Sequence, residues 1–212
     1  EGLRISEEKY KAVISQTGQL VYDYDIRTGV IAWSGAIGKL TGYTEEEFNR
    51  EVSIDIWGEM IHPDDRGKAY ELLEIAQEKT SDYYAEYRFR KKDGSYIDIL
   101  DEGRFFPDDE GKAFRMLGVM KDITMIKQAE SAIRESEEKF RTISEQSLIG
   151  IGIVQDGLIK YFNNAFAFIC GFSRQEIESW KPFKYYEFIN PEDIAMVREQ
   201  NEKKMRRDPS AV

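Results

Sequence analysis

Two parts of the chain spell the same pattern. Leu3–Tyr10 (LRISEEKY) matches Ile133–Phe140 (IRESEEKF), Leu40–Phe48 (LTGYTEEEF) matches Ile169–Ile177 (ICGFSRQEI), and Ile61–Asp65 (IHPDD) matches Ile189–Asp193 (INPED). The matches keep their order and lie about 130 residues apart, the signature of one structural unit used twice. The second copy stops early. After Asp193 the pattern predicts a charged helix over Ile194–Arg207, and nothing corresponds to Tyr83–Ile123 of the first copy. The expectation is one whole unit followed by the front part of another.

Between the copies lies Thr124–Gln146 (TMIKQAESAIRESEEKFRTISEQ). Its interior is Ala, Glu, Lys, Gln, Arg and Ile, without Gly or Pro, so it reads as one helix about 34 Å long with Thr124 placed to cap it. Ile126, Ala129, Ile133, Ser136, Phe140 and Ile143 fall at alternating steps of three and four, an a/d seam that is polar only at Ser136. Leu3, Ser6, Tyr10 and Val13 repeat the seam, so the chain is expected to open on the end of a similar helix.

The first copy reads as mixed structure. Gln19–Asp25 alternates, Arg27-Thr28-Gly29 is a turn and Val30–Trp33 a second strand. Thr44 to Glu47 spells a capping box, rebuilt at Ser173 to Glu176. His62-Pro63-Asp64-Asp65 opens a helix running to about Lys79, with Pro at its first position and acids in its first turn. Tyr83–Arg90 places Ala85, Tyr87 and Phe89 on one face and Glu86, Arg88 and Arg90 on the other. Asp93-Gly94 is a hairpin signal before the strand Tyr96–Phe106; Asp108–Gly111 turns the chain into Phe114–Ile123. The expected fold class is α+β: one five-stranded antiparallel sheet with helices on one face. The second copy has two strands only, Gly150–Gln155 and Leu158–Phe162, a pair too small to be stable alone. The expected organisation is a lead-in helix over 1–16, a first domain over 17–124, a linker helix over 125–146 and an incomplete second domain over 147–212.

A net charge of −10 and a pI near 4.9 argue against wrapping nucleic acid or lying on an anionic membrane. No apolar run approaches the ~20 residues of a membrane span. The single cysteine, Cys170, precludes an internal disulfide and a multi-cysteine metal site, so a reducing cytoplasm is the expected setting, with a longer parent protein free to be membrane-tethered.

Taken together, the Gly42-Tyr43-Thr44-Glu45-Glu46 motif, Ile61-His62-Pro63-Asp64-Asp65, Arg88-Phe89-Arg90-Lys91-Lys92-Asp93-Gly94 and the closing Gly118-Val119-Met120-Lys121-Asp122-Ile123-Thr124 resemble a PAS domain. The resemblance covers Leu3–Glu130 and, as the front half of a second copy, Ser136–Arg207. It implies tandem PAS domains of the kind found in the sensory regions of bacterial and archaeal histidine kinases, or preceding diguanylate cyclases. Asp122, Ile123 and Thr124 then correspond to the point where a signalling helix leaves the sheet. The implied function is perception of a small ligand, or relay of a conformational signal, toward a downstream output domain in cis. A parallel homodimer through Ile126, Ala129, Ile133, Phe140 and Ile143 is expected to keep the two helices in register. The competing readings are a ligand-free dimerisation scaffold and a flavin or haem sensor.

Little in the residues speaks for catalysis. His62 with Asp64 and Asp65 reads as helix initiation; the second copy has Asn190, a good N-cap, in its place. His62 is the only histidine, so no phospho-acceptor helix is expected, and Gly150-Ile151-Gly152 does not extend into a nucleotide loop. The Asn-Cys-Arg-Phe-Leu-Gln motif of photoactive flavin PAS domains is lacking, and Cys170 reads as a small buried side chain. No cofactor and no metal are expected. Candidate pocket residues are Tyr22, Tyr24, Trp33, Tyr43, Trp57, Tyr87 and Phe89 in the first copy and Phe162, Asn163, Phe166, Phe168, Phe172 and Trp180 in the second. The same aromatics would equally serve as plain core. The basic tail Lys203–Arg207 reads as a solvated helix end.

Overall fold

A computed structural model describes residues 18–205. The lead-in seam at Leu3, Ser6, Tyr10 and Val13 and the tail at Arg206 and Arg207 lie outside the described residues. The chain divides into two compact units between Ser131 and Ala132.

The first unit is built on a sheet of five strands, β1 (Leu20–Asp25), β2 (Val30–Gly35), β3 (Asp82–Arg90), β4 (Tyr96–Pro107) and β5 (Ala113–Asp122). Their order is β2-β1-β5-β4-β3, and every neighbouring pair is antiparallel. This is the α+β architecture read from the sequence. Polar side chains make its turns. Asp25 accepts from the amides of Arg27 and Thr28 while Gly29 takes φ +73°. Asp93 accepts from the amide and hydroxyl of Ser95 beside Gly94.

Four helices connect β2 to β3: α1 (Ile37–Thr41), α2 (Glu45–Glu51), α3 (Ile54–Met60) and α4 (Pro63–Glu78). The capping box of α2 forms in both directions, Thr44 Oγ1 accepting from the Glu47 amide and Glu47 from the Thr44 amide. His62 caps α4 through Nδ1. Asp65 does more than start that helix. It accepts from Arg88 Nε at 2.8 Å and from the Arg88 amide at 3.0 Å, stitching α4 to β3. The Arg88 guanidinium holds the Asp65 carboxyl down at about 2. Ile37, Leu40, Phe48, Trp57 and Leu73 from the helices close over Leu20, Tyr22, Tyr87 and Phe89 from the sheet in one core.

Helix α5 (Thr124–Gln146) follows β5 directly and links to the second unit. That unit has a two-stranded sheet, β6 (Gly152–Gln155) and β7 (Leu158–Phe162), then α6 (Asn164–Cys170), α7 (Arg174–Glu178), a 3-10 turn (Lys184–Phe188) and α8 (Ile194–Met205). Its capping box at Ser173 and Glu176 also forms, so the repeat holds in detail.

Candidate functional site

Register decides what the inner face of the first sheet looks like. Trp33 on β2 sits opposite Tyr22 on β1, Tyr22 opposite Gly118 on β5, Gly118 opposite Gly103 on β4, and Gly103 opposite Tyr83 on β3. One row across all five strands therefore has aromatics at its sides and two glycines in the middle. A Cβ on Gly118 would fall 2.2 Å from the Tyr22 ring and hydroxyl, and one on Gly103 would fall 2.6 Å from that hydroxyl. The glycines are the slot in which Tyr22 lies flat across the sheet. Lying so, its hydroxyl reaches β4 and donates to Asp101 Oδ1 at 2.9 Å.

Asp101 is the centre of a buried polar chain. Its other oxygen accepts from the Tyr87 hydroxyl at 2.6 Å, which in turn accepts from Trp57 Nε1 at 3.1 Å. Burial drives the Asp101 carboxyl up to about 7 against the pull of the Tyr87 and Tyr22 hydroxyls. Burial first, then the Asp101 charge, raises both tyrosines well above their usual range. The Tyr83 hydroxyl is buried and has no hydrogen-bond partner. Tyr22, Tyr24, Trp33, Trp57, Tyr83 and Asp101, with Ile31, Ile54, Leu73 and Met116, line a cavity of about 20 Å³. That is room for a water molecule and little more, far below the ~300–1,000 Å³ of pockets for drug-sized ligands, and a flavin or haem does not fit it.

The start of α5 is bound to the same strands. Thr124 Oγ1 accepts from the Asp98 amide on β4 at 2.9 Å, and the Ile123 amide donates to the Asp98 carbonyl. Lys127 pairs with Glu86 on β3 at 3.0 Å and with Asp98 at 3.3 Å. Thr124 thus ties the helix to the sheet rather than capping it; the Thr124 amide is taken by Asp122. The cap was expected from local pattern alone, and a strand brought alongside by the fold outcompeted it.

A family model described as the PAS fold matches residues 30–120, and a second, described as the PAS domain, matches residues 148–210. A solved sensory box histidine kinase/response regulator structure from Burkholderia thailandensis is 30% identical, with 63% of this chain and 98% of that one covered at a TM-score of 0.54. The chain belongs to the PAS family. The N-terminal domain of a diguanylate cyclase with PAS/PAC sensor from Marinobacter aquaeolei is 24% identical over 51% of this chain and 98% of that one, with a TM-score of 0.47. A PAS domain from Colwellia psychrerythraea is 21% identical over 57% and 98%, also at 0.47. No curated protein matches the chain. As tandem PAS domains the chain is a sensory signalling module.

In the second PAS module the central residue is Asn163, which is fully buried. Its side-chain oxygen accepts from the amides of Ile151 and Phe166, both at 2.9 Å, and its amide group donates to the carbonyls of Ser144 at 2.7 Å and Ile149 at 2.8 Å. One side chain therefore caps α6 and holds the end of α5. Asn163→Ala should cost this module about 2 kcal/mol. Hydrogen exchange is expected to speed up at the Ile151 and Phe166 amides while amides of β4 and β5 stay unchanged. Unaltered protection at those two amides would refute the role. Beside this clamp, Phe166, Cys170, Trp180 and Phe188 line an open apolar groove of about 410 Å³.

Of the aromatic candidates in the first PAS module, Tyr22, Tyr24, Trp33 and Trp57 meet at the cavity. Tyr87 lies behind them on Asp101, and Phe89 packs against Ile61 in the core. Tyr43 sits apart, edge-on to Phe48 and under the Lys92 ammonium. In the second module Phe162 is buried and Phe172 packs on Trp180, but Phe168 is 87% exposed, on the side of α6 away from the groove. Asp101 was missed. Its signal was present: Ile97, Ile99, Asp101, Gly103 and Phe105 share one face of β4, so an acid stands in an apolar row. Of the relay candidates, Ile123 is buried, while Ile126, Ala129, Ile133, Phe140 and Ile143 are exposed. Among the described residues no helix is long and apolar enough to cross a membrane.

Proposed function

We propose that the first PAS module perceives a small ligand at the Asp101 cavity and that α5 carries the resulting shift to the second module and on to an output domain of the parent protein, such as a histidine kinase in a reducing cytoplasm. One observation carries the reading. Strand β4 holds Asp101 in the cavity and, three residues earlier in the same strand, Asp98 against Thr124 and Lys127 in the first turn of α5. A ligand that moves β4 moves the helix, provided it favours one of two helix arrangements. The exposed Ile126, Ile133, Phe140 and Ile143 seam supports the second half of the proposal, a parallel pair formed with α5 of another copy.

Ile133→Asp with Phe140→Asp is expected to weaken self-association of the chain at least tenfold in analytical ultracentrifugation and to uncouple signal from output in the parent protein. Regulation that survives loss of the seam would sink the relay. A second reading, a scaffold that senses nothing and only holds two chains in register, is favoured by the small size of the cavity. In that case seam variants lose output while substitutions in the cavity leave it unchanged.

A further inference from the structure

Asp101 is a buried acid without a cation. It is 1% exposed, and no Lys, Arg or His is among the residues that line its cavity. The titratable groups facing it are Tyr22 from β1 and Tyr83 and Tyr87 from β3, with Glu102 its neighbour in the chain; α3 and α4 present only Trp57, Ile54 and Leu73. An ionised carboxylate so placed favours a partner that brings positive charge and N–H donors.

Three further observations narrow the partner. Aromatic rings of Tyr22, Trp33 and Trp57 wall the space, and ring faces attract cations once water is excluded. Tyr83 lines the same cavity and is 2% exposed, and its hydroxyl is buried without a partner, so it has an oxygen lone pair to offer a donor. The volume of about 20 Å³ limits the occupant to one or two heavy atoms.

We propose that the cavity of the first module binds a small ammonium-type cation, ammonium itself or methylammonium, with Asp101 as its counterion. The proposal names a ligand class for the sensory site above and rests on that reading. The cation keeps Asp101 ionised, the two tyrosine hydroxyls go on donating to the carboxylate, and Tyr83 accepts one N–H. Because an empty site holds the Asp101 carboxyl up at about 7, the cation displaces a proton below that pH. Affinity therefore falls about tenfold for each pH unit below 7.

The test is a titration of the purified chain at fixed ionic strength with ammonium chloride and methylammonium chloride. Methanol serves as the neutral counterpart, tetramethylammonium as the oversized cation and potassium as the metal cation. The readouts are the carboxyl carbon NMR shift of Asp101 and the melting temperature of the first module. A saturable response to ammonium and methylammonium alone is expected, weakening at low pH as stated. Asp101→Asn should lower affinity at least tenfold. Tyr83→Phe, which keeps the core shape, should lower it several-fold and serves if the asparagine variant folds poorly. An equal response to methanol or potassium, unchanged affinity in Asp101→Asn, or no saturable response overturns the proposal and leaves a structural water as the occupant. Should the cation fail while seam variants still uncouple the parent protein, only the ligand class falls and the relay stands.

Discussion

Gly118→Ala is expected to destabilise the first PAS module by about 3–5 kcal/mol, a loss large enough to lower its melting temperature by 15 °C or more. The cause is a single methyl group. It would arrive 2.2 Å from the Tyr22 ring and 2.7 Å from the Glu102 carbonyl oxygen, and backbone on that side cannot give way cheaply. Tyr22 must then leave its slot and withdraw its hydroxyl from Asp101, adding the loss of a hydrogen bond to a buried charged group. A double-mutant cycle isolates the effect. In a Tyr22→Ala background the ring is gone, and the share of the Gly118→Ala penalty that comes from the ring should vanish, leaving the share from the Glu102 carbonyl. Gly103→Ala should cost less, because its nearest neighbour is the flexible end of Met116. If Gly118→Ala unfolds at the same urea midpoint as the parent chain, Tyr22 does not lie where the sheet register puts it.

Asp101 makes the second large prediction, an unusual dependence of stability on pH. Its folded-state value is raised from 3.8 to about 7. Between those values the folded module holds a proton that the unfolded chain has released. Stability from this group is therefore full below about pH 4 and is lost as pH rises to 7, by about 4 kcal/mol. Most carboxylates act the other way: Asp65, held at about 2, stabilises the module above about pH 4 and withdraws that support as pH falls toward 2. The two windows do not overlap. Asp101→Asn should abolish the decline between pH 4 and 7 while leaving acid unfolding near pH 2–3 in place. Urea midpoints for both proteins across that range measure the difference; parallel curves would show that the Asp101 carboxyl is not perturbed.

The elements themselves were readable because each has a local physical cause. Capping boxes, Pro at a helix start and a glycine after Asp in a hairpin act within a few residues of chain, so Thr44–Glu47, Pro63 and Asp93-Gly94 announced their roles. Alternation along β3 correctly sorted its inner and outer faces for the same reason. Long-range partners were not readable in that way. Asp65 read as a helix-start acid and turned out to clasp Arg88, and Thr124 read as a cap and turned out to bind the Asp98 amide. Each side chain satisfies a local rule and a distant contact, and only the distant one depends on strand order.

From sequence alone came the repeated unit, its α+β class, the PAS resemblance of both copies, and the helix with its apolar seam. These follow from short motifs, periodicity and turn chemistry, which are properties of neighbouring residues. The site belongs to the tertiary structure. Pairing the first strand with the last puts Tyr22 over Gly118 and Gly103, and that one register brings its hydroxyl to Asp101, far away in the chain. An acid in an apolar row is a curiosity until the fold denies it a cation and sets aromatic rings around it.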